Sequence, residues 1–244
     1  MNPPSDRLRA IVTGASSGIG KATALAFAKS GIEVALISRS TVKLKAVADE
    51  IEALKTQSKV KVYSLDLAIL DKVKQQISEI CLDFGPVDIL VNNAGMGYTN
   101  SLYETSLEDW QKVLNLNLTS AFQCIQGVLP QMRERASGTS INVASIAAHN
   151  AFPDWGAYGV SKAALVALSK ALSVEERANG IRTVIISPGS VNTPIWDTDT
   201  VRADFDRTAM LTPEIVAQSI LHTVLLPQQA VVEEMIVMPN GGAL

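Results

Sequence analysis

Cysteine is scarce in this sequence. Cys81 and Cys124 are the only two, and their spacing fits neither a metal site nor a redox pair. Both lie in apolar, helix-like surroundings and read as reduced core thiols. No Cys/His cluster offers the ligands of a catalytic zinc, so no metal is expected. No apolar run approaches the roughly 18 residues of a membrane span. The stretch MNPPSDRLR lacks the apolar segment of a secretory signal. A cytoplasmic protein with no membrane partner is the expectation. Basic blocks are missing too, since 21 Lys and Arg stand against 24 Asp and Glu for a net charge of −3. Without a concentrated cationic surface, the counterion release that drives nucleic-acid binding is lacking, and no nucleic-acid partner is expected. Internal repeats, low-complexity tracts and linkers are likewise absent.

What is present is apolar material in a particular rhythm. Of the 244 residues 47% are hydrophobic, enough for a sizeable core and for one large domain over 1–244. Short β-branched runs occur at 10–13, 33–38, 60–65, 88–92, 140–145, 182–187 and 234–238. Amphipathic stretches lie between them, at 20–30, 41–56, 69–84 and 160–178. Gly31 follows the first as a C′ glycine, Ser106 with Asp109 forms a capping box, and Thr212 before Pro213 is an N-cap. Strand–helix alternation of this kind predicts an α/β fold, a parallel sheet with helices on both faces. The segment at about 190–211 breaks the rhythm. It reads either as a surface loop with a helical turn or two, or as a mobile substrate lid, because long loops in compact domains are often functional.

The stretch TGASSGIGKAT (Thr13 to Thr23) opens the first helix directly after the first strand. A Walker loop would need glycine at Ala15 and a magnesium-binding hydroxyl at Ala22, so a nucleoside triphosphate fits poorly. Gly14, Gly18 and Gly20 instead suit a dinucleotide. Glycine at the turn tolerates positive φ, glycine near the phosphates lets the backbone approach, and the helix start supplies free N–H groups and a positive dipole end. A purely structural glycine turn is the alternative. Strand two ends Ser38-Arg39, with no acid to bind a ribose 2′-hydroxyl as NAD sites usually have. An arginine beside a small hydroxyl residue suits a 2′-phosphate, hence NADP(H); a solvated loop charge is the alternative.

Polar residues and glycines also gather at the other strand ends: Asp66, the NNAG run at 92–95, Ser145, and SPGSVNT at 187–193. In open α/β sheets ligands bind beyond the strand carboxyl ends, near the topological switch. Singly, each has a plain reading, Asp66 as a helix cap and Asn92 and Asn93 as turn formers. Tyr158 and Lys162 stand at i and i+4 on one helix face. A free phenol has a pKa near about 10. A neighbouring lysine cation stabilises the phenolate and lowers that value, and an oxidised nicotinamide adds to the effect. Tyr158 then suits proton exchange with a carbonyl or alcohol oxygen, and Ser145 suits holding that oxygen.

With these residues in order over nearly the whole chain, the sequence resembles the short-chain dehydrogenase/reductases of single-domain type. The matching residues are TGASSGIG, Asp66, NNAG, Asn117 in LNLN, Ser145, Tyr158 with Lys162, and Pro188-Gly189 followed by Thr193. The resemblance implies a Rossmann-type, doubly wound, seven-stranded parallel sheet and a catalytic set of Asn117, Ser145, Tyr158 and Lys162. It implies cofactor contacts from Gly14, Ser16, Ser17, Gly18, Ile19 and Gly20, from Ser38 and Arg39, and from Asp66 and Leu67. Asn93, Ala94 and Gly95 would line the cofactor floor. Tyr158 and Lys162 would meet the nicotinamide ribose, and Pro188, Gly189, Val191 and Thr193 would close the other wall. Asn117 would position a water linking the lysine to solvent. Family members are usually homodimers or homotetramers, built on helices here spanning about 107–135 and 155–178.

Some positions depart from relatives. Ser17 stands where NADP-preferring members often carry a basic residue, so cofactor preference rests on Arg39. A 3-ketoacyl-carrier-protein reductase is an alternative: Arg133 and Arg135 could receive an acidic carrier, but Asn179 and the ending VMPNGGAL depart from that group. A non-catalytic dinucleotide-binding regulatory protein is the alternative from another class. Met96, Tyr98, His149, Phe152, Trp155 and Trp196 lie close in sequence to the motifs and point loosely to a hydrophobic ketone or alcohol; local packing is the alternative for each.

Overall fold

Alternation of apolar side chains decides how the strands stack. The computed structural model describes residues 7–203 and 205–242. Residues 1–6, Asp204 and residues 243–244 lie outside the described residues, and with them most of MNPPSDRLR, one position of the 190–211 segment and the end of VMPNGGAL. In chain order the main elements begin with β1 (Arg9–Thr13), α1 (Gly18–Lys29), β2 (Glu33–Ser38), α2 (Thr41–Ala53), β3 (Val60–Ser64) and α3 (Leu70–Phe84). They continue with β4 (Ile89–Asn92), α4 (Leu107–Leu114), α5 (Ser120–Glu134), β5 (Gly138–Val143), α6 (Gly156–Glu176), β6 (Ile181–Pro188), α7 (Pro213–Leu225) and β7 (Glu234–Val237).

Ala10 and Val12 of β1 join one core with Val34 and Leu36 of β2, beneath α1, α2 and α7. Ile11, with Ala35 and Ile37, joins the opposite core beneath α3 and α5. Both faces are covered, which is why the strands read as near-continuous apolar runs. The seven strands form one sheet in the order β3-β2-β1-β4-β5-β6-β7, and every neighbouring pair is parallel. After β3 the chain returns past β1 through α3 to begin β4. The topological switch therefore lies between β1 and β4, the doubly wound arrangement expected.

Most boundaries fall within two residues of the expected ones, and two differences affect the site. Strand five ends at Val143 rather than 145, because Ser145 already caps a 3-10 turn over Ile146–Ala148. The rod expected over about 107–135 is interrupted by a π turn at Asn115–Thr119, where Ser120 N–H bonds to the Asn115 carbonyl. Ser106 Oγ accepts the Asp109 N–H at 3.0 Å and donates to Asp109 Oδ2 at 3.0 Å, so the box closes through the hydroxyl. A buried polar ladder fixes α6 against the sheet. Asn92 Nδ2 donates to Asn142 Oδ1 at 2.9 Å, and Asn142 Nδ2 donates to Ser169 Oγ at 2.8 Å. Cys81 and Cys124 are free and buried. Burial pushes their thiols up to about 11 and about 12, so neither supplies thiolate near neutrality. Among the described residues no helix is long and apolar enough to cross a membrane.

Gly127 lets α5 approach α3 closely, with Ser78 Oγ reaching its carbonyl at 3.2 Å. A Cβ there would stand 2.6 Å from Ile77 Cγ2 and 3.0 Å from the Lys74 carbonyl. Gly127→Ala should therefore cost about 1–3 kcal/mol through overpacking, read as a lower denaturation midpoint with unchanged slope. A midpoint equal to wild type would show that the two helices separate freely.

Candidate active site

The cleft begins with a hydroxyl. Thr13 Oγ1, at the end of β1, donates to the Val91 carbonyl at 3.1 Å and accepts the Asn93 and Ala94 N–H groups, each at 3.0 Å. Asn93 Nδ2 returns the contact, donating to the Thr13 carbonyl at 3.0 Å. These bonds tie together the two strand ends that flank the switch point.

Above them the glycine loop makes its turn. Gly14 and Gly18 have φ of +64° and +53°, the left-handed region where a side chain is strained. A Cβ on Gly14 would meet Asn93 Nδ2 at 2.8 Å, and one on Gly20 would meet the Gly14 carbonyl at 2.4 Å. Helix α1 starts at Gly18, and the Ser17 hydroxyl makes no capping bond to its first turn. The helix therefore presents free N–H groups and its positive end to the cleft.

A cleft of about 790 Å³ runs along the strand carboxyl ends. Ser38, Arg39, Ser40, Lys43, Asp66 and Leu67 line one end of it, where β2 and β3 finish. Arg39 is exposed, and Asp66 Oδ1 accepts the Ala68 N–H at 3.0 Å. The loop residues Gly14, Ser16, Ser17, Gly18 and Ile19 line the middle, with Asn93, Ala94 and Gly95 below and Pro188, Gly189, Val191 and Thr193 opposite. Ser145, Tyr158 and Lys162 meet at the far end, beside Met96, Phe152, Trp155 and Trp196. Among the described residues no group of three His, Cys, Asp or Glu is placed to hold a metal ion.

Tyr158 and Lys162 share a face of α6, with Lys162 Nζ 5.8 Å from the phenol ring centre. Burial raises the Tyr158 pKa, and a hydrogen bond with the Ser145 hydroxyl acts in the opposite direction. The Tyr158 value therefore stands above that of a free phenol rather than below it as expected, because desolvation disfavours the phenolate, and the Lys162 ammonium gives its hydrogen bond to the Val143 carbonyl at 2.9 Å. Burial in turn lowers Lys162 itself to about 8.

The segment over 190–211 is held against this end of the cleft. Thr200 Oγ1 donates to the Gly97 carbonyl at 2.7 Å, and Thr99 N–H bonds to the Thr200 carbonyl at 2.9 Å. Arg207 reaches Asn192 Oδ1 at 2.9 Å, the Thr193 carbonyl at 3.0 Å and Asp197 Oδ1 at 2.6 Å.

A family model described as short chain dehydrogenase matches residues 9–203. The chain belongs to the short-chain dehydrogenase family. An uncharacterized oxidoreductase of Staphylococcus saprophyticus is 31% identical over 251 residues, spanning 100% of both chains. A second from that species is 34% identical over 231 residues, 94% of this chain and 96% of the other. Among solved structures, an alcohol dehydrogenase from the archaeon Thermococcus sibiricus complexed with 5-hydroxy-NADP superposes with a TM-score of 0.87 at 27% identity. That match covers 96% of this chain and 97% of the other. A metagenomic short-chain oxidoreductase in complex with NADP gives 0.83 at 28% identity, with the same coverage.

Some residues of this short-chain dehydrogenase sit elsewhere than expected. His149 does not line the cleft. Its Nε2 lies 2.8 Å from Glu234 Oε1 on β7 and 3.2 Å from Ser187 Oγ on β6, so its polar edge is spent between strands. Tyr98 is buried with Val113 and Ala157 rather than in the cleft. Gly20 lies behind the loop, its missing side chain serving the approach of α1 to Gly14. Asn117 is also behind the wall. Met96 N–H bonds to its Oδ1 at 2.8 Å, and its Nδ2 donates to the Met96 carbonyl and to Ser161 Oγ, each at 3.0 Å. Its side chain thus holds the loop after β4 against α6, with both amide hydrogens already used. Arg133 and Arg135 turn to the opposite edge of the sheet, where they pair with Glu176 and with Asp88 just before β4. Neither stands at the cleft mouth to receive an acidic carrier.

Sequence reasoning also missed contributors. Lys43, in the first turn of α2, lines the cleft with Arg39; a basic residue four positions after Arg39 was the available signal. Ile195 and Phe205 line the far end from within the irregular segment, where no periodicity marked them.

The Lys162 value makes a stability prediction. Between about 8 and the ordinary 10.5, the unfolded chain keeps a proton on this amine that the folded chain has released. Stability then rises with pH, because the unfolded state binds more protons. From pH 7 to pH 10, wild type should gain about 2–3 kcal/mol relative to Lys162→Met, read from denaturation midpoints of both proteins. A pH-independent difference would show that the amine is not desolvated.

Proposed function

We propose that this short-chain dehydrogenase is an NADP(H)-dependent oxidoreductase interconverting a ketone or aldehyde and its alcohol, with Tyr158 exchanging the proton. The observation that carries the reading is the meeting of Ser145, Tyr158 and Lys162 at one end of a cleft whose other end presents Arg39 and Lys43. The residues present fit a phosphorylated dinucleotide. The spaces beside Gly14 and Gly20 admit no Cβ, the start of α1 has no side-chain cap, and two cations stand where β2 ends. NADP and 5-hydroxy-NADP in the related structures support the same reading.

When bound, NADPH supplies a hydride whose two electrons make the new C–H bond at the carbonyl carbon, the C=O π pair passing to oxygen. Tyr158 gives its proton to that oxygen, completing the O–H bond, and regains one from solvent. A phenol raised by burial keeps its proton near neutrality, which suits the reducing direction. Ser145 holds the same oxygen through its hydroxyl. Lys162 would hold the nicotinamide ribose and contributes to the field around the phenol. Asn117 acts as a positioning residue, fixing Met96 and α6 through its amide. The 190–211 segment is a lid, covering the reacting end and excluding water.

A non-catalytic dinucleotide-binding role is opposed by the complete Ser145, Tyr158 and Lys162 set. The carrier-protein reading loses its support with the placement of Arg133 and Arg135. Leu107, Phe122, Val160 and Val174 are exposed on α4, α5 and α6, which suits association into a homodimer or homotetramer.

Tyr158→Phe should lower kcat by about 10²–10⁴-fold with NADPH affinity little changed, followed at the reduced-nicotinamide absorbance band. Activity near wild type would reject the proton-transfer role. Arg39→Asp, and separately Lys43→Ala, should each lower the NADPH-to-NADH ratio of kcat/KM by about tenfold, the worth of one charge-assisted hydrogen bond. An unchanged ratio in both would place the 2′-phosphate elsewhere.

A further inference from the structure

The cleft beyond Ser145 is walled by rings. Trp155 meets Tyr158 edge to face, with centroids 5.2 Å apart and planes at 72°. Trp196 meets Trp155 at 5.7 Å and 68°, and Phe205 meets Trp196 at 5.5 Å and 83°. The ladder runs from the reacting phenol to the lid without a break. Trp196 Nε1 donates to the Val191 carbonyl at 2.7 Å, so the indole's polar atom is spent on backbone. Met96, Phe152 and Ile195 complete the wall. Among the described lining residues at this end, Lys162 alone carries charge. The charged lining residues are Arg39, Lys43 and Asp66 near the ends of β2 and β3, and Lys162, which is turned to Val143.

From this wall we infer that the substrate is an uncharged carbonyl compound bearing an aromatic ring beside the reacting carbon, or the corresponding secondary alcohol. The inference rests on the oxidoreductase reading above and names the substrate class of that site. Among the described lining residues here a carboxylate on the substrate would meet only Lys162, already bonded to the Val143 carbonyl, and an ammonium would meet no anion, so either would lose its hydration uncompensated. A ring gains more than an aliphatic group of equal size, because rings set edge to face or offset interact beyond their buried area, by about two- to tenfold in affinity per pair. The walls are fixed beforehand. Arg207 holds the lid at three acceptors, and the indole nitrogen bond sets the Trp196 plane, so little ordering remains to oppose binding.

The test compares 1-phenylethanone, its cyclohexyl analogue and a keto acid of similar length as substrates with NADPH. It is paired with quenching of wild-type tryptophan fluorescence by 1-phenylethanone in the NADP⁺ complex. The aryl ketone should exceed the cyclohexyl ketone in kcat/KM by about tenfold and the keto acid by more. Trp196→Leu should bring the aryl-to-cyclohexyl ratio close to one, and Trp196→Phe should keep it. Turnover of the cyclohexyl ketone or keto acid equal to that of the aryl ketone would overturn the substrate class and leave the oxidoreductase reading standing. Saturable quenching without turnover of any ketone would uphold the aromatic seat and overturn the reaction. Neither quenching nor turnover would overturn both.

Discussion

One hydroxyl, Thr13 Oγ1, sets the geometry from which the rest of the cleft follows. It uses its single hydrogen on Val91 and both lone pairs on the N–H groups of Asn93 and Ala94. Without it, two amides beside the sheet would be left unpaired in a part-buried place, and each unpaired group costs about 1–3 kcal/mol. Because β1 and β4 are joined there, the chain after β1 must rise over Asn93. Only glycine at position 14 clears that side chain. The close seat of α1 at Gly20, and so the direction of its N-terminal dipole, is a consequence of the same crowding.

The two ends of the cleft work by opposite physics. Where β2 and β3 finish, exposed Arg39 lines the cleft with Lys43, and solvent screens their charges. At the reacting end Lys162 is only 5% exposed, and Trp155, Trp196 and Phe152 line the wall. There burial governs which group keeps its proton. Tyr158 and Lys162 shift in opposite directions for one cause, desolvation of their charged forms.

The sheet and the order of its motifs were legible because parallel strands buried on both faces must be apolar throughout, and each is followed by an amphipathic helix. Gly14, Asn93, Ser145 and Tyr158 were legible because each stands at a strand end or helix start, where the chemistry has few substitutes. The failures share a cause as well. His149 lies four residues from Ser145, yet the 3-10 turn between them directs it to β7, and nothing local announces Glu234 as its partner. The π turn at Asn115–Thr119, from which Asn117 bonds to Met96 and Ser161, interrupts the rod and has no periodicity of its own. Arg133 and Arg135 looked available only because Glu176 and Asp88 are more than forty positions away in sequence.

Strand β7 lines no part of the cleft, yet both of its far walls lean on it. Glu234 holds His149 and with it the turn that carries Ser145, while the Val237 carbonyl accepts the Gly189 N–H at 2.8 Å. Pro239 and Met238 leave no room for a side chain at Gly189. The positions of the Ser145 turn and of Gly189 are therefore both tied to an edge strand of the sheet. Slippage of that edge by a single residue would misalign the reacting atoms while leaving every lining side chain in the sequence unchanged.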